Sequence, residues 1–224
     1  MENQVTQPQV NPMPRIGDVA PDFEAVTTHG PIRFSEFNKG SWVILFSHPA
    51  DFTPVCTTEL SAFAQDREWF EQHNTKLIGL SIDSIHSHLA WVNNVREKTG
   101  VFLNFPIIAD LDMNVSKKYG MLHPGESTTA TVRAVFFIDP NGIIRTILYY
   151  PLNLGRNMDE IKRILVGLQT VDKCACALPA NWTPGEKAIV PPPKTIEEME
   201  ERLNNTSYEI IDFYLAKKDI EPVE

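Results

Sequence analysis

The sequence predicts an α/β domain. Three observations carry this: short apolar, β-branched runs, helical spacing between them, and a late pair of strands joined through an Asn-Gly turn. Residues 41–47 (SWVILFS) and 76–82 (KLIGLSI) are apolar runs of strand length. Between them Leu60, Phe63, Ala64 and Phe70 recur at helical intervals, while Glu59, Gln65, Asp66, Arg67 and Glu68 take the other, polar positions. That is a β-α-β unit. A second helix ends at Gly100, a buried strand follows over residues 105–110 (FPIIAD), and a short helix closes at Gly120. Residues 132–139 and 143–150 are then two strands joined by Pro140, Asn141 and Gly142, which predicts an antiparallel hairpin. Asn157 can cap a last helix with Met158, Ile161, Ile164, Leu165 and Leu168 along one stripe. The expected organisation is a flexible segment at 1–13 and a core domain at 14–171.

The remainder, 172–224, reads as an arm and a small dimerisation domain. Five prolines between Pro179 and Lys194 favour an extended path. Thr195 and Glu198 have capping-box spacing, Ile196, Met199 and Leu203 face one way, and YEIIDFYLA adds another apolar strip. Such a tail has enough apolar surface to dock, and a second subunit is the expected partner.

Composition narrows the function classes. The 224 residues are 42% hydrophobic and 22% charged, without an apolar run near the roughly 18 residues a membrane span needs. The first dozen residues lack the basic and apolar regions of a secretory signal, so a cytoplasmic location and no membrane partner are expected. A formal charge of -9 disfavours nucleic acid as a partner. Three cysteines are too few for a secreted disulfide framework, so each thiol is judged separately.

Cys56 stands in HPADFTPVCTT. As a helix entry, this stretch puts Thr53 at the N-cap, Pro54 at the first helical position and Cys56 in the first turn. The positive helix end favours thiolate, and such sites can lower a cysteine pKa from about 8.5 to roughly 3.5–7.5. The competing reading is a small buried hydrophobe. Thr53 stands where a dithiol oxidoreductase would carry its first cysteine, so a second thiol must come from elsewhere.

HPADFTPVCTTEL resembles the active-site segment of the peroxiredoxins, Pro-x-x-x-Thr-x-x-Cys, at Pro49, Thr53 and Cys56. The resemblance continues through GLSIDS, FPIIAD, ATVRAVFFIDPNG, GRN and PANWTPGEK, and is nearest to the one-cysteine-type, long-tailed subgroup. It implies an elaborated thioredoxin-like fold with a small C-terminal domain. It also implies a thiol-specific peroxidase that reduces hydrogen peroxide and organic hydroperoxides through a sulfenic acid on Cys56, recycled by an external thiol or thioredoxin-type reductant. No metal, haem, flavin or other cofactor is implied. Carried over by position, Thr53, the Cys56 amide and Arg133 donate to the peroxide, and Pro49 shields the thiolate. Arg156 is a second arginine near the pocket, and His48 is a supporting residue. Without the resemblance, Arg133 reads as a strand-edge ion pair and Arg156 as a turn residue or carboxylate partner. A homodimer is implied, extending to a decamer-like ring of dimers.

Cys174 and Cys176 lie near the place where two-cysteine peroxiredoxins carry a resolving cysteine, directly before the proline of Pro-Ala-x-Trp. Here Leu178 holds that position, so the two thiols are displaced by two and four residues. Three arrangements stand open: one of them resolves Cys56 across a dimer, the two pair with each other, or both stay free. The first is favoured, because neighbouring strand residues point to opposite faces and would strain a mutual disulfide. A zinc site of Cys174, Cys176 and His86 or His88 lacks the usual ligand spacing, and HSH reads as a surface feature. A phospholipase serine at Ser41 is unsupported, since Lys39 and Val43 stand where glycines are needed. An oligomeric holdase chaperone is the alternative from another class, and peroxide consumption that depends on Cys56 separates the two.

Overall fold

In the computed structural model, which describes residues 13–221, the first part of the chain winds around a seven-stranded mixed sheet. The expected flexible segment lies, apart from Met13, outside the described residues. In chain order the elements are β1 (Glu24–Thr27), β2 (Gly30–Arg33), α1 (Phe34–Asn38), β3 (Trp42–Ser47), α2 (Pro54–Gln65) and α3 (Arg67–Gln72). They continue with β4 (Thr75–Ser81), α4 (Ile85–Thr99), β5 (Ile107–Ala109), α5 (Asn114–Lys118), β6 (Arg133–Ile138) and β7 (Ile144–Tyr150). The strand order is β2-β1-β5-β4-β3-β6-β7. β3 runs parallel to β4, and β4 to β5, while β6 lies antiparallel to β3 and to β7. This is the α/β, thioredoxin-like architecture expected.

β3 and β6 are buried at every residue, which is why both read as continuous apolar runs rather than alternating ones. On one face Phe46 stacks on Phe63 of α2 at 4.0 Å and meets Phe105 edge-on at 5.5 Å. Val43, Leu45, Ala134, Phe136 and Ile138 belong to a cluster that also contains Phe23, Phe34 and Tyr119. Two chemistry-bearing ends follow from this layout: the C-terminal end of β3, where the chain leaves for α2, and the N-terminal end of β6 beside it.

The helix expected over residues 54–70 breaks at Asp66 into α2 and α3. The break keeps Phe70 buried, its ring 6.2 Å from that of Phe63. α4 begins at Ser84, whose hydroxyl accepts the Ser87 N–H, and ends at Gly100, whose φ of 76° supplies the left-handed turn. In the β6–β7 turn, Asp139 Oδ1 accepts the N–H groups of Asn141 and Ile143. The β1–β2 hairpin and α1 were not foreseen, because two four-residue strands with polar alternate positions carry little signal.

The contacts divide the chain into two compact units, up to Arg156 and from Asn157 onward, so the last long helix, expected within the first domain, groups with the tail. That helix is α6 (Met158–Cys174), capped as expected by Asn157, whose side chain accepts the Glu160 N–H. β8 (Ala188–Ile189), α7 (Ile196–Leu203), β9 (Glu209–Asp212) and β10 (Leu215–Lys218) follow, and the strands form a small sheet in the order β8-β10-β9. Trp182 is 1% exposed and lies over Gly167, the glycine of α6, where a side chain would meet the indole. The proline-rich arm is therefore anchored rather than loose. Thr195 caps α7 as read, while the Glu198 carboxylate accepts from Lys194 N–H, one residue before the capping-box position. Among the described residues no helix is long and apolar enough to cross a membrane.

Replacing Phe46 by alanine opens a cavity between the sheet and α2. The expected loss is about 3–5 kcal/mol of unfolding free energy, measured as a lowered urea midpoint with an unchanged slope.

Candidate active site

Cys56 is the third residue of α2 and is completely buried as a free thiol. The local sequence explains the entry: Thr53 is extended at the N-cap and Pro54, lacking an N–H, takes the first helical position. First-turn amides of a helix have no intrahelical acceptor, so this end offers donors to an anion. Phe52, just ahead, holds a φ of 56° with its ring exposed, a left-handed conformation that is uncommon for a bulky residue. One expectation is corrected here. The Thr53 hydroxyl does not cap the helix but donates to the Ala50 carbonyl at 2.9 Å, which leaves its lone pairs as its free valence.

Arg133, at the start of β6, reaches the thiol. Its Nη1 donates to Cys56 Sγ at 3.3 Å and to Glu59 Oε2 at 2.7 Å, and its Nε donates to the Leu152 carbonyl at 3.0 Å. Arg156 lies in the same cluster without a described contact to the sulfur. Its Nη2 and Nε grip both oxygens of Glu59 at 2.8 and 2.9 Å, and its Nη1 donates to the carbonyls of Ser47 and Ala134. The guanidinium also covers the rings of Phe46 and Phe63. Both arginines are buried ion-pair partners of Glu59, so the ion-pair reading of Arg133 and the carboxylate-partner reading of Arg156 hold, but inside the site rather than at a strand edge or a turn.

Glu59 is the residue that sequence reasoning misplaced. Assigned to the polar side of its helix, it is 3% exposed and faces inward with Leu60 and Phe63. Burial alone would raise its pKa, but Arg156 and then Arg133 outweigh that and hold the carboxyl below its ordinary range. A signal was available: two arginines carried to one pocket need a counter-charge, and Glu59 stands one helical turn after Cys56. Ser47 completes the frame, its hydroxyl donating to the Val132 carbonyl at 2.6 Å and accepting the Ala134 N–H at 3.0 Å.

His48 directly follows β3 and is fully buried. Its Nε2 lies 2.9 Å from Asp51 Oδ1, and Asp51 Oδ2 lies 2.8 Å from both His88 Nδ1 and Ser87 Oγ. Burial lowers the pKa of His48, with Asp51 pulling the other way. For Asp51, burial is outweighed by the hydrogen bonds from His48 and His88, which hold its carboxyl well below the usual range. His88, read as part of a surface feature, is completely buried on α4, whereas His86 is exposed. The potential ligand atoms of His48, Asp51 and His88 lie within 4.8 Å of one another. The two histidine nitrogens stand 2.8 and 2.9 Å from the carboxylate. Two ligands on one tetrahedral zinc stand about 3.3 Å apart, so the contacts are those of hydrogen-bonded groups. Pro49 is half-buried in the loop that follows His48.

In the second unit, Cys174 ends α6, Ala175 takes a left-handed φ of 46°, and Cys176 is buried. The two sulfurs are joined as a disulfide, the second of the three arrangements considered. The strand argument against it fails, because residues two apart share one face of a strand and the segment is in any case a helix end. The pair spans a helix end, and Ala175 turns the chain so that the two side chains meet.

A thiol in the first turn of a helix, under an arginine from a neighbouring strand, is the arrangement that the resemblance implies. The pattern of the AhpC/TSA family matches residues 16–147. The chain belongs to the peroxiredoxin family. The pattern of the C-terminal domain of 1-Cys peroxiredoxin also matches, over residues 167–206. A peroxiredoxin of Aquifex aeolicus is 53% identical over 222 residues, 95% of this chain and 100% of that protein. One of Methanosarcina mazei is 58% identical over 197 residues, 85% and 90% of the two chains. Among solved structures, a yeast mitochondrial 1-Cys peroxiredoxin superposes with a TM-score of 0.83 at 41% identity, covering 93% of this chain and 100% of that one. The reduced 2-Cys peroxiredoxin of Plasmodium vivax gives 0.73 at 33% identity, covering 86% and 100%. This peroxiredoxin is thus a thiol-dependent peroxidase.

Glu59→Ala would leave two buried guanidiniums without their carboxylate, and is expected to lower stability by about 3–5 kcal/mol. Because folding lowers the Glu59 pKa, its ionised form stabilises the fold above the ordinary glutamate range, near pH 4.3. That contribution fades as pH falls through the lowered value. Urea midpoints of wild type and Glu59→Gln should therefore lie furthest apart at neutral pH and converge in acid.

Proposed function

We propose that Cys56 is the peroxidatic nucleophile of this peroxiredoxin, and that the contact between Arg133 Nη1 and Cys56 Sγ carries the reading. The buried cluster sets two guanidiniums against one carboxylate, Glu59, and leaves one positive charge beside the sulfur. A thiolate at Cys56 balances it. The thiolate attacks one oxygen of hydrogen peroxide or an organic hydroperoxide, and the O–O bond breaks. The departing oxygen takes a proton and leaves as water or alcohol, and the sulfur becomes a sulfenic acid. Arg133 and the first-turn amides stabilise the charge that moves onto the departing oxygen. Thr53 orients the peroxide, Pro49 keeps water from the thiolate, Arg156 fixes Glu59 and through it Arg133, and His48 lines the site.

The oxidised sulfur is returned by thiols. In the reduced protein, Cys176 or Cys174 of one subunit attacks the Cys56 sulfenic acid of the other, releases water and forms a disulfide. The remaining thiol of the pair then exchanges with it, freeing Cys56 and leaving the Cys174–Cys176 disulfide seen in the structure. An external thiol or thioredoxin-type dithiol reduces that bond. The yeast relative, whose thiol resolving mechanism runs via the glutathione and thioredoxin systems, supports this choice of reductant. Residues 14–171 are assigned the peroxidase chemistry and 172–224 the homodimer contact, in the cytoplasm, with a decamer-like ring as the larger assembly. Ile196, Leu203, Ile211, Phe213 and Tyr214 are exposed in the tail, apolar surface of the kind a second copy would cover.

Cys56→Ser should abolish thiol-dependent peroxide consumption, and Arg133→Gln should slow Cys56 oxidation by about 10²–10³-fold, followed by rapid quench and mass. Disulfide mapping after one equivalent of peroxide tests the resolving step: Cys174→Ser and Cys176→Ser should trap a disulfide between Cys56 and the remaining tail thiol. Cys56 sulfenic or sulfinic acid beside two free tail thiols in wild type would refute it.

A further inference from the structure

The two sulfurs at the end of α6 are not equally placed. Cys176 is 7% exposed, and the residue after it is locked to β8: the Ala177 N–H donates to the Ile189 carbonyl at 3.3 Å, and the Ala177 carbonyl accepts the Ile189 N–H at 2.7 Å. Cys174, the last residue of the helix, is half-buried and lines a recess of about 270 Å³ whose walls do not include Cys176. A water takes about 30 Å³ of the liquid, so the recess has the size of a small molecule and not of a protein loop.

Both signs of charge line this recess. Lys173 and Lys218 bring ammonium groups, Asp219 and Glu221 bring carboxylates, and all four belong to the second compact unit. The helix end adds to the negative side. Its last amide bond runs from the Ala175 N–H to the Val171 carbonyl, so the carbonyls beyond Val171 have no intrahelical donor. Such an end favours a cation.

We propose that this recess binds a small zwitterionic thiol, of the amino-acid or short-peptide class, and delivers it to Cys174 rather than to Cys176. The proposal deepens the recycling step above and rests on the tail disulfide being the product of that cycle. The carboxylate of the incoming molecule pairs with Lys218 and Lys173, and its ammonium group with Asp219, Glu221 and the helix end. Its thiolate attacks Cys174 Sγ, the bond between the two protein sulfurs breaks, and the electron pair leaves on Cys176, which takes a proton. A second thiolate then attacks the sulfur of the bound molecule. Cys174 departs as a thiolate, and the two small molecules leave joined as their own disulfide. Two thiols are thereby oxidised and one protein disulfide is reduced. The rate of such exchange depends on access to the sulfur attacked, and access is what separates Cys174 from Cys176.

The test uses full-length Cys56→Ser, oxidised with diamide so that the tail pair is the only disulfide within the chain. It is reduced with cysteine, with cysteamine, which lacks the carboxylate, or with N-acetylcysteine, which lacks the ammonium group. Acid quenching at early times, alkylation and peptide fragmentation should find the cysteine adduct on Cys174 and the alkyl group on Cys176. At equal thiolate concentration, corrected for thiol basicity, cysteine should react about fivefold faster than either analogue, the upper scale of an exposed ion pair. Lys218→Gln should erase the advantage over cysteamine, and Asp219→Asn the advantage over N-acetylcysteine. An adduct that forms first on Cys176 overturns the proposal, as do equal rates for the three thiols or a disulfide that only a thioredoxin-type dithiol reduces. Wild type that gains no tail disulfide with peroxide, while the diamide-oxidised chain behaves as stated, would instead overturn the resolving step and leave the thiol site standing.

Discussion

The bond network of one buried carboxylate organises this peroxiredoxin. Glu59 receives four hydrogen bonds from two guanidiniums and one backbone amide, nearly out of reach of solvent. Removing charges from water is expensive, and only close pairing with full hydrogen bonding offsets it. Arg156 is therefore spent on Glu59 and on two carbonyls of β3 and β6, which ties the two strand ends to α2. Arg133 is shared between Glu59 and Cys56, so the carboxylate both anchors the arginine and tempers its charge. Without Glu59, Arg133 would keep its bond to the Leu152 carbonyl but lose the anchor on α2 that holds Nη1 beside the sulfur. A carboxylate with only one arginine would leave nothing positive for the sulfur.

Much of this was legible from residue order, for reasons that differ by element. β3, β4 and β6 announced themselves because strands covered on both faces are apolar throughout, and the β6–β7 hairpin because Asn-Gly leaves little choice of turn. Cys56 was legible because Thr53 and Pro54 mark a helix start within three residues of it. Arg133 needed the family pattern, since a lone arginine in an apolar strand has several explanations. Glu59, Asp51 and His88 were not legible in the same way. Each is polar, sits on or beside a helix, and by spacing alone belongs to a solvated face. Their burial depends mainly on partners 20–97 residues away, and no local window contains those.

The tail shows the same limit from the opposite side. Local rules placed the caps at Asn157 and Thr195 correctly, because a cap involves only neighbours within one turn. The Cys174–Cys176 pairing was judged by strand alternation, which places residues two apart on one face and so never opposed it; the segment is in fact a helix end. The proline-rich arm suggested an extended path, yet Trp182 seated over Gly167 gives it a fixed anchor on α6.

Ser47 has a further consequence. Where β3 and β6 would continue their ladder, its hydroxyl takes over both a carbonyl and an amide of the partner strand. The two strands can therefore diverge at this point without stranding a backbone group. The end of the β3–β6 ladder is thus finished by a side chain of β3 rather than by backbone alone.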